Sequence, residues 1–99
     1  MKYIVVVRGK LKGRPAEAGS AHDEIVSKVS PVGKSMGNTS HQAYLNTQNG
    51  DEFLAIDFWD NMEGIQKLYN DPNLATEFAK MFDEQPEVTI WSDSGWFQF

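Results

Sequence analysis

Asp51-Glu52-Phe53-Leu54-Ala55-Ile56-Asp57-Phe58-Trp59 is the stretch on which the fold turns. In a strand, successive side chains point to opposite faces. Phe53, Ala55, Asp57 and Trp59 therefore share one face, and Leu54, Ile56 and Phe58 share the other. A sheet with helices on one side and water on the other alternates apolar with polar residues. Here both faces carry large apolar groups, so the strand belongs to a sheet covered on both sides.

The neighbouring segments build that sheet. His41 to Gln48 reads as a strand that pairs with this one around Asn49-Gly50, a strong hairpin signal. Tyr3 to Arg8 is a β-branched first strand, with Tyr3, Val5 and Val7 set against Ile4 and Val6. Gly9 to Arg14 is a basic, glycine-containing loop. Pro15 opens a helix whose apolar stripe is Ala18, His22, Ile25, Val26 and Val29, ending near Pro31. Pro31 to Asn38 reads as irregular.

After Trp59, Asp60 and Glu63 resemble a capping box that starts a second helix, with Ile65, Leu68 and Tyr69 on its apolar side. Asp71-Pro72 repeats the start signal, so this helix is expected in two segments, the second lined by Leu74, Phe78, Met81 and Phe82. Pro86 ends the helical region. Glu87 to Phe99 reads as a last strand interrupted at Ser92 to Gly95. The order β-α-β-β-α-β specifies a ferredoxin-like α+β fold, a four-stranded antiparallel sheet with two helices on one face. Ninety-nine residues suffice for a single domain, 1–99.

Nine basic residues against fourteen acidic give a net charge of −5 with no basic cluster, which argues against nucleic acid as a partner. The absence of cysteine removes disulfides, thiolate catalysis and Cys-type zinc sites, and fits a reducing compartment. The apolar run near the start is too short and too β-branched for a signal peptide, and no stretch is long enough to span a bilayer. A cytoplasmic protein with no membrane association is expected.

Two helices cover only one sheet face. Leaving three or four large side chains of the other face in water would cost about 1.5–3 kcal/mol each. A second copy related by a two-fold axis covers them with one self-complementary patch, so a homodimer is expected. Trp91, Trp96, Phe97 and Phe99 of the last strand add to that demand. The expected assignment gives Leu54, Ile56 and Phe58 to the partner and Asp57 and Trp59 to the helix side.

The segment from Phe53 to Phe82 has a strand ending in Trp59, Asp60-Asn61-Met62-Glu63-Gly64 opening a helix, then Asp71-Pro72 and Phe78. With the element order and the two-sided sheet, it resembles the dimeric α/β barrels, which include the antibiotic-biosynthesis-monooxygenase-like proteins. The resemblance implies two sheets packed face to face into an eight-stranded barrel, and a pocket between helices and sheet in each subunit. Its members include cofactor-free monooxygenases of polycyclic phenols, haem-degrading enzymes and isomerases. The haem-degrading branch pairs a Trp at the end of the third strand with an Asn on the first strand and a His on the second helix. Trp59 matches, but Tyr3 to Arg8 has no Asn and Met62 to Phe82 has no His, so haem ligation of that kind is not expected.

Asp57 is the most unusual residue, a carboxylate inside an apolar strand that must find a partner or become protonated. It reads either as a general base or as a structural carboxylate bonded to a Lys, a Tyr hydroxyl or helix N–H groups. His22 faces the sheet and could reach it, in which case a His–Asp pair would fix the tautomer. His41 opens the second strand and reads as exposed. No metal site is expected, since neither histidine spacing places two ligands on one turn. Trp59, Tyr69 and Phe78 could wall an aromatic pocket, with the Tyr44 hydroxyl orienting an oxygenated ligand, although packing alone would use the same residues.

Two functions follow. One is a cofactor-independent enzyme, a monooxygenase or isomerase acting on a phenolic or carbonyl-rich metabolite, with His22 and Asp57 managing protons. The other is a non-catalytic small-molecule-binding or stress-related dimer that has the same cavity and no chemistry.

Overall fold

The computed structural model describes residues 2–99. In chain order they form β1 (Tyr3–Lys10), α1 (Pro15–Ser35), β2 (Asn38–Leu45), β3 (Glu52–Trp59), α2 (Met62–Tyr69), α3 (Pro72–Phe78) and β4 (Glu87–Ser92). The sheet order is β2-β3-β1-β4 with every neighbouring pair antiparallel. This is the ferredoxin-like arrangement expected, with the second crossover split into α2 and α3 at Asp71-Pro72.

The alternation in β3 sorts its side chains as expected. Phe53, Ala55, Asp57 and Trp59 are all buried, while Phe58 on the opposite face is 38% exposed. Val5 and Val7 of β1 lie beside them, and Ile25 of α1, Ile65 and Leu68 of α2, and Leu74 of α3 close the core from above. Trp59 is 1% exposed and packs edge-on against Tyr69.

Several boundaries differ from the sequence reading. α1 does not stop at Pro31 but runs through it to Ser35. A proline inside a helix costs about 3 kcal/mol, but the last turn is held by packing, since Gly33 is buried against Asn38 and Leu68. The Asp60 cap is also corrected. Asn61 caps α2 instead, its Oδ1 accepting from the Gly64 N–H at 2.6 Å while its Nδ2 donates to the Met36 carbonyl at 2.8 Å. Gly64 must lack a side chain, because a Cβ there would collide with that same carbonyl. Gly37 makes the turn that follows Met36, at a φ of +114°.

α3 ends at Phe78, and Met81 and Phe82 fall in a turn instead of on the helix. They are buried because this turn pairs with the end of β1: the Lys12 N–H donates to the Met81 carbonyl, and Asp83 N–H to that of Lys10. The strand β4 stops at Ser92, which pairs with Tyr3 at the start of β1. Beyond that point Asp93 and Ser94 side chains accept from the N–H groups of Gly95 and Trp96, which favours a turn over a ladder.

Candidate functional site

Among the described residues Asp57 is the one buried charged side chain, at 6% exposure. Burying a carboxylate is tolerated when hydrogen bonds replace its water. Both of its oxygens are engaged. His41 Nδ1 lies 2.6 Å from Oδ1, and the Tyr69 hydroxyl donates to Oδ2 at 3.2 Å. His41 is opposite Asp57 in the β2–β3 ladder, so strand register places this pair.

The row continues. His41 Nε2 lies 2.9 Å from Nε2 of His22 on α1, and His22 Nδ1 lies 3.0 Å from Asp23 Oδ1 at the surface. The ring centroids of the two histidines are 5.1 Å apart with 22° between planes. That separation exceeds the N···N distance by about two ring radii, so the rings lie nearly end to end. Such an arrangement aims one nitrogen lone pair at the other ring's N–H, the geometry of a hydrogen bond and not of two ligands bent around a metal. Among the described residues no group of three or more metal-ligating side chains converges.

Proton positions follow from the chain of bonds. Asp57 accepts, so His41 carries its proton on Nδ1, leaving the two Nε2 atoms to share one between them. The hydrogen bond to Asp57 holds the His41 imidazolium above its ordinary pKa of 6.5, burial opposing it and the carboxylate charge adding to it. Burial first, and then the charge of Asp57, push the Tyr69 hydroxyl far above its usual range, so it stays a donor. The buried Trp59 N–H approaches the Tyr69 oxygen and weakly opposes this shift, without completing a hydrogen bond.

This polar row borders a cavity of about 90 Å³ between α1, the α2–α3 pair and the sheet. Its remaining walls are mainly apolar, including Val26, Val29, Leu74 and Phe78. Val26 and Phe78 are half-buried, which opens the cavity to the surface between α1 and α3. Of the residues proposed from sequence, His22, Asp57, Tyr69 and Phe78 meet here. His22 does not touch Asp57 directly; His41 stands between them. Trp59 lies behind Tyr69 in the core and does not border the cavity. Tyr44 is opposite Leu54 in the ladder and does not border this cavity.

His41 corrects the sequence reading, which left it exposed. The signal was the hairpin register. A two-residue turn at Asn49-Gly50 pairs His41 with Phe58 and sends its ring to the open face. The turn is wider: Asn46 N–H donates to the Glu52 carbonyl and Glu52 N–H to that of Asn49. The register therefore moves by one residue and brings His41 opposite Asp57, since a one-residue slip exchanges the faces.

No family model matches the sequence, and no curated protein matches it closely. Solved structures do. SnoaB, a cofactor-independent oxygenase from Streptomyces nogalater, superposes with a TM-score of 0.71 at 14% identity, covering 93% of this chain and 92% of that one. This chain has the fold of that oxygenase. An antibiotic biosynthesis monooxygenase superposes at 0.69 and 9% identity over 94% of this chain and 98% of its own. A protein of unknown function from Nitrosomonas europaea does so at 0.64 and 19% identity, over 98% and 93%. At such identities the fold alone is what is shared, and chemistry rests on the site itself.

Proposed function

We propose that this protein is a small homodimeric enzyme that removes a proton from a phenolic or carbonyl-rich molecule held between α1 and the sheet. The observation that carries this reading is the bonded row Asp57–His41–His22 along one wall of an otherwise apolar cavity. A ligand hydroxyl entering the cavity displaces the His22 imidazole, which leaves with the proton shared by the two Nε2 atoms, and gives its own proton to the freed Nε2 of His41. His41 keeps its Nδ1 proton in the bond to Asp57, whose charge stabilises the imidazolium formed, which is the division of labour expected of a base and its orienting carboxylate.

The ionised ligand then has two outcomes. Reprotonation at another atom is an isomerisation. Reaction with dioxygen at an activated CH2 gives a carbonyl and one water, the carbon losing four electrons and both oxygen atoms being accounted for. The description of SnoaB as a cofactor-independent oxygenase favours the second.

The homodimer is supported by the open sheet face. Ile4, Val6, Leu54, Ile56, Phe58 and Trp91 form an apolar patch there, with Trp91 58% exposed. A patch of this kind on a small domain marks an interaction surface, and two-fold pairing covers it with itself. No helix among the described residues is long and apolar enough to cross a membrane.

One observation favours a non-catalytic binding protein instead, namely that both oxygens of Asp57 are already engaged. Turnover of a phenolic panel, followed by oxygen uptake, separates the two. His41→Gln and Asp57→Asn are expected to lower kcat by about 100-fold or more, while native mass spectrometry still shows a dimer. Ligand retention with no turnover, or turnover unchanged in both variants, overturns the enzymatic reading.

A further inference from the structure

We infer that His22 is a partition between two chambers of one ligand site, and that its imidazole sets the length of ligand accepted. The inference rests on the reading of the cavity beside His41 as the ligand site. A second cavity of about 140 Å³ lies on the other side of His22, under the first turns of α1. Leu11, Ala18, Tyr44, Leu45 and the open position at Gly19 border it, and the lining is predominantly apolar.

Three side chains border both chambers: His22, Phe53 and Met81. Phe53 and Met81 are fixed in the core, Phe53 packing edge-on against Phe82. His22 differs from them. It projects from α1 and is held by the single contact to His41, the surface carboxylate of Asp23 and a tilted approach to the Phe53 ring at 5.7 Å. It is the one member of the wall that can turn aside by a side-chain rotation.

Gly19 sits one turn before His22, and a Cβ there meets nothing within 4 Å. Its missing side chain leaves the outer chamber open, although glycine weakens a helix at an interior position. The chambers also differ in chemistry. The inner one offers imidazole and carboxylate to a hydroxyl or carbonyl. The outer one offers hydrocarbon walls to a ring. Apolar voids on the order of 150 Å³ hold one benzene ring, so the outer chamber, at about 140 Å³, is sized for one ring, while the inner one, at about 90 Å³, takes a ring only where it extends past His22. His22 thus decides whether a ring attached to the bound phenol is admitted to the outer chamber.

Binding of phenol and 2-naphthol by isothermal titration to the purified protein tests this without relying on turnover. His22→Ala is expected to raise the preference for 2-naphthol over phenol by about tenfold or more, from the additional ring buried. Adding Gly19→Leu to that variant fills the outer chamber and is expected to remove the gain. Gly19→Leu alone leaves phenol binding unchanged and retains the helical circular dichroism, so loss of folding is recognised separately. An unchanged preference in His22→Ala overturns the inference, as does a gain that survives Gly19→Leu, because the second ring then binds elsewhere. An absence of catalytic turnover defeats the enzymatic proposal and leaves this result standing.

Discussion

The two faces of one sheet are made by alternate residues of the same strands, yet they solve opposite problems. On the helix-covered face, Phe53, Ala55 and Trp59 are packed away, and the single charge, Asp57, has to be satisfied within the protein by His41 and Tyr69. On the open face, Leu54, Ile56 and Phe58 have no partner in the chain, and the charged groups Arg8 and Glu52 pair at the end of the patch. Polar atoms placed where water is absent must be bonded, and they become a candidate site. Apolar atoms placed where water is present require a partner, and they become a candidate interface.

The largest expected effect breaks the open face. Ile56→Asp removes one apolar contact and adds a charge, and two-fold symmetry makes the change twice. Dimerisation should weaken by about 3–6 kcal/mol, and sedimentation should then report a monomer at micromolar concentration. A dimer that survives would show that the interface lies elsewhere.

The covered face comes next. Asp57→Ala leaves the His41 Nδ1–H and the Tyr69 hydroxyl without their acceptor, which should cost about 2–4 kcal/mol in urea unfolding. The dimer mass should not change. A smaller loss than that of an ordinary surface substitution would mean that Asp57 contributes little to the core.

The third effect is a pH dependence confined to the covered face. The bond to Asp57 raises His41 above 6.5 in the folded protein. The folded state thus binds this proton more tightly than the unfolded chain. The resulting stability is complete below about pH 6.5 and is lost as pH rises through the folded value. Urea midpoints of the wild type should fall across that window relative to those of His41→Gln, and parallel curves would remove His41 as their source. The smallest effect belongs to Tyr44, which borders the outer chamber and not the cavity beside His41. Tyr44→Phe should change ligand affinity by less than about 0.5 kcal/mol, as calorimetry with phenol would show.

The fold was largely legible because it rests on short-range rules. Alternation in β3 sorted its side chains correctly, and Asp71-Pro72 marked the break between α2 and α3. What was not legible depended on contacts distant in sequence. The continuation of α1 past Pro31 is held by Leu68, some thirty-five residues onward. The site was legible in part for the same reason. Asp57 stood out as a charge in an apolar strand, and His22 as a polar group on an apolar stripe. Their connection runs through His41, whose position depends on a single residue of turn length between Asn46 and Glu52. No local propensity records that one-residue difference.

The Gly64 contact has a consequence for engineering the chain. Met36, Asn61 and Gly64 join the end of the first crossover to the start of the second, within the radius of a carbonyl and an amide. A chain break or insertion at Met36 or within residues 61–64 would separate parts that hold one another. The tip at Gly50 is the contrasting place, where a Cβ meets nothing within 4 Å. A reporter peptide spliced there would be carried by both hairpin strands, outside the joint and clear of the cavity.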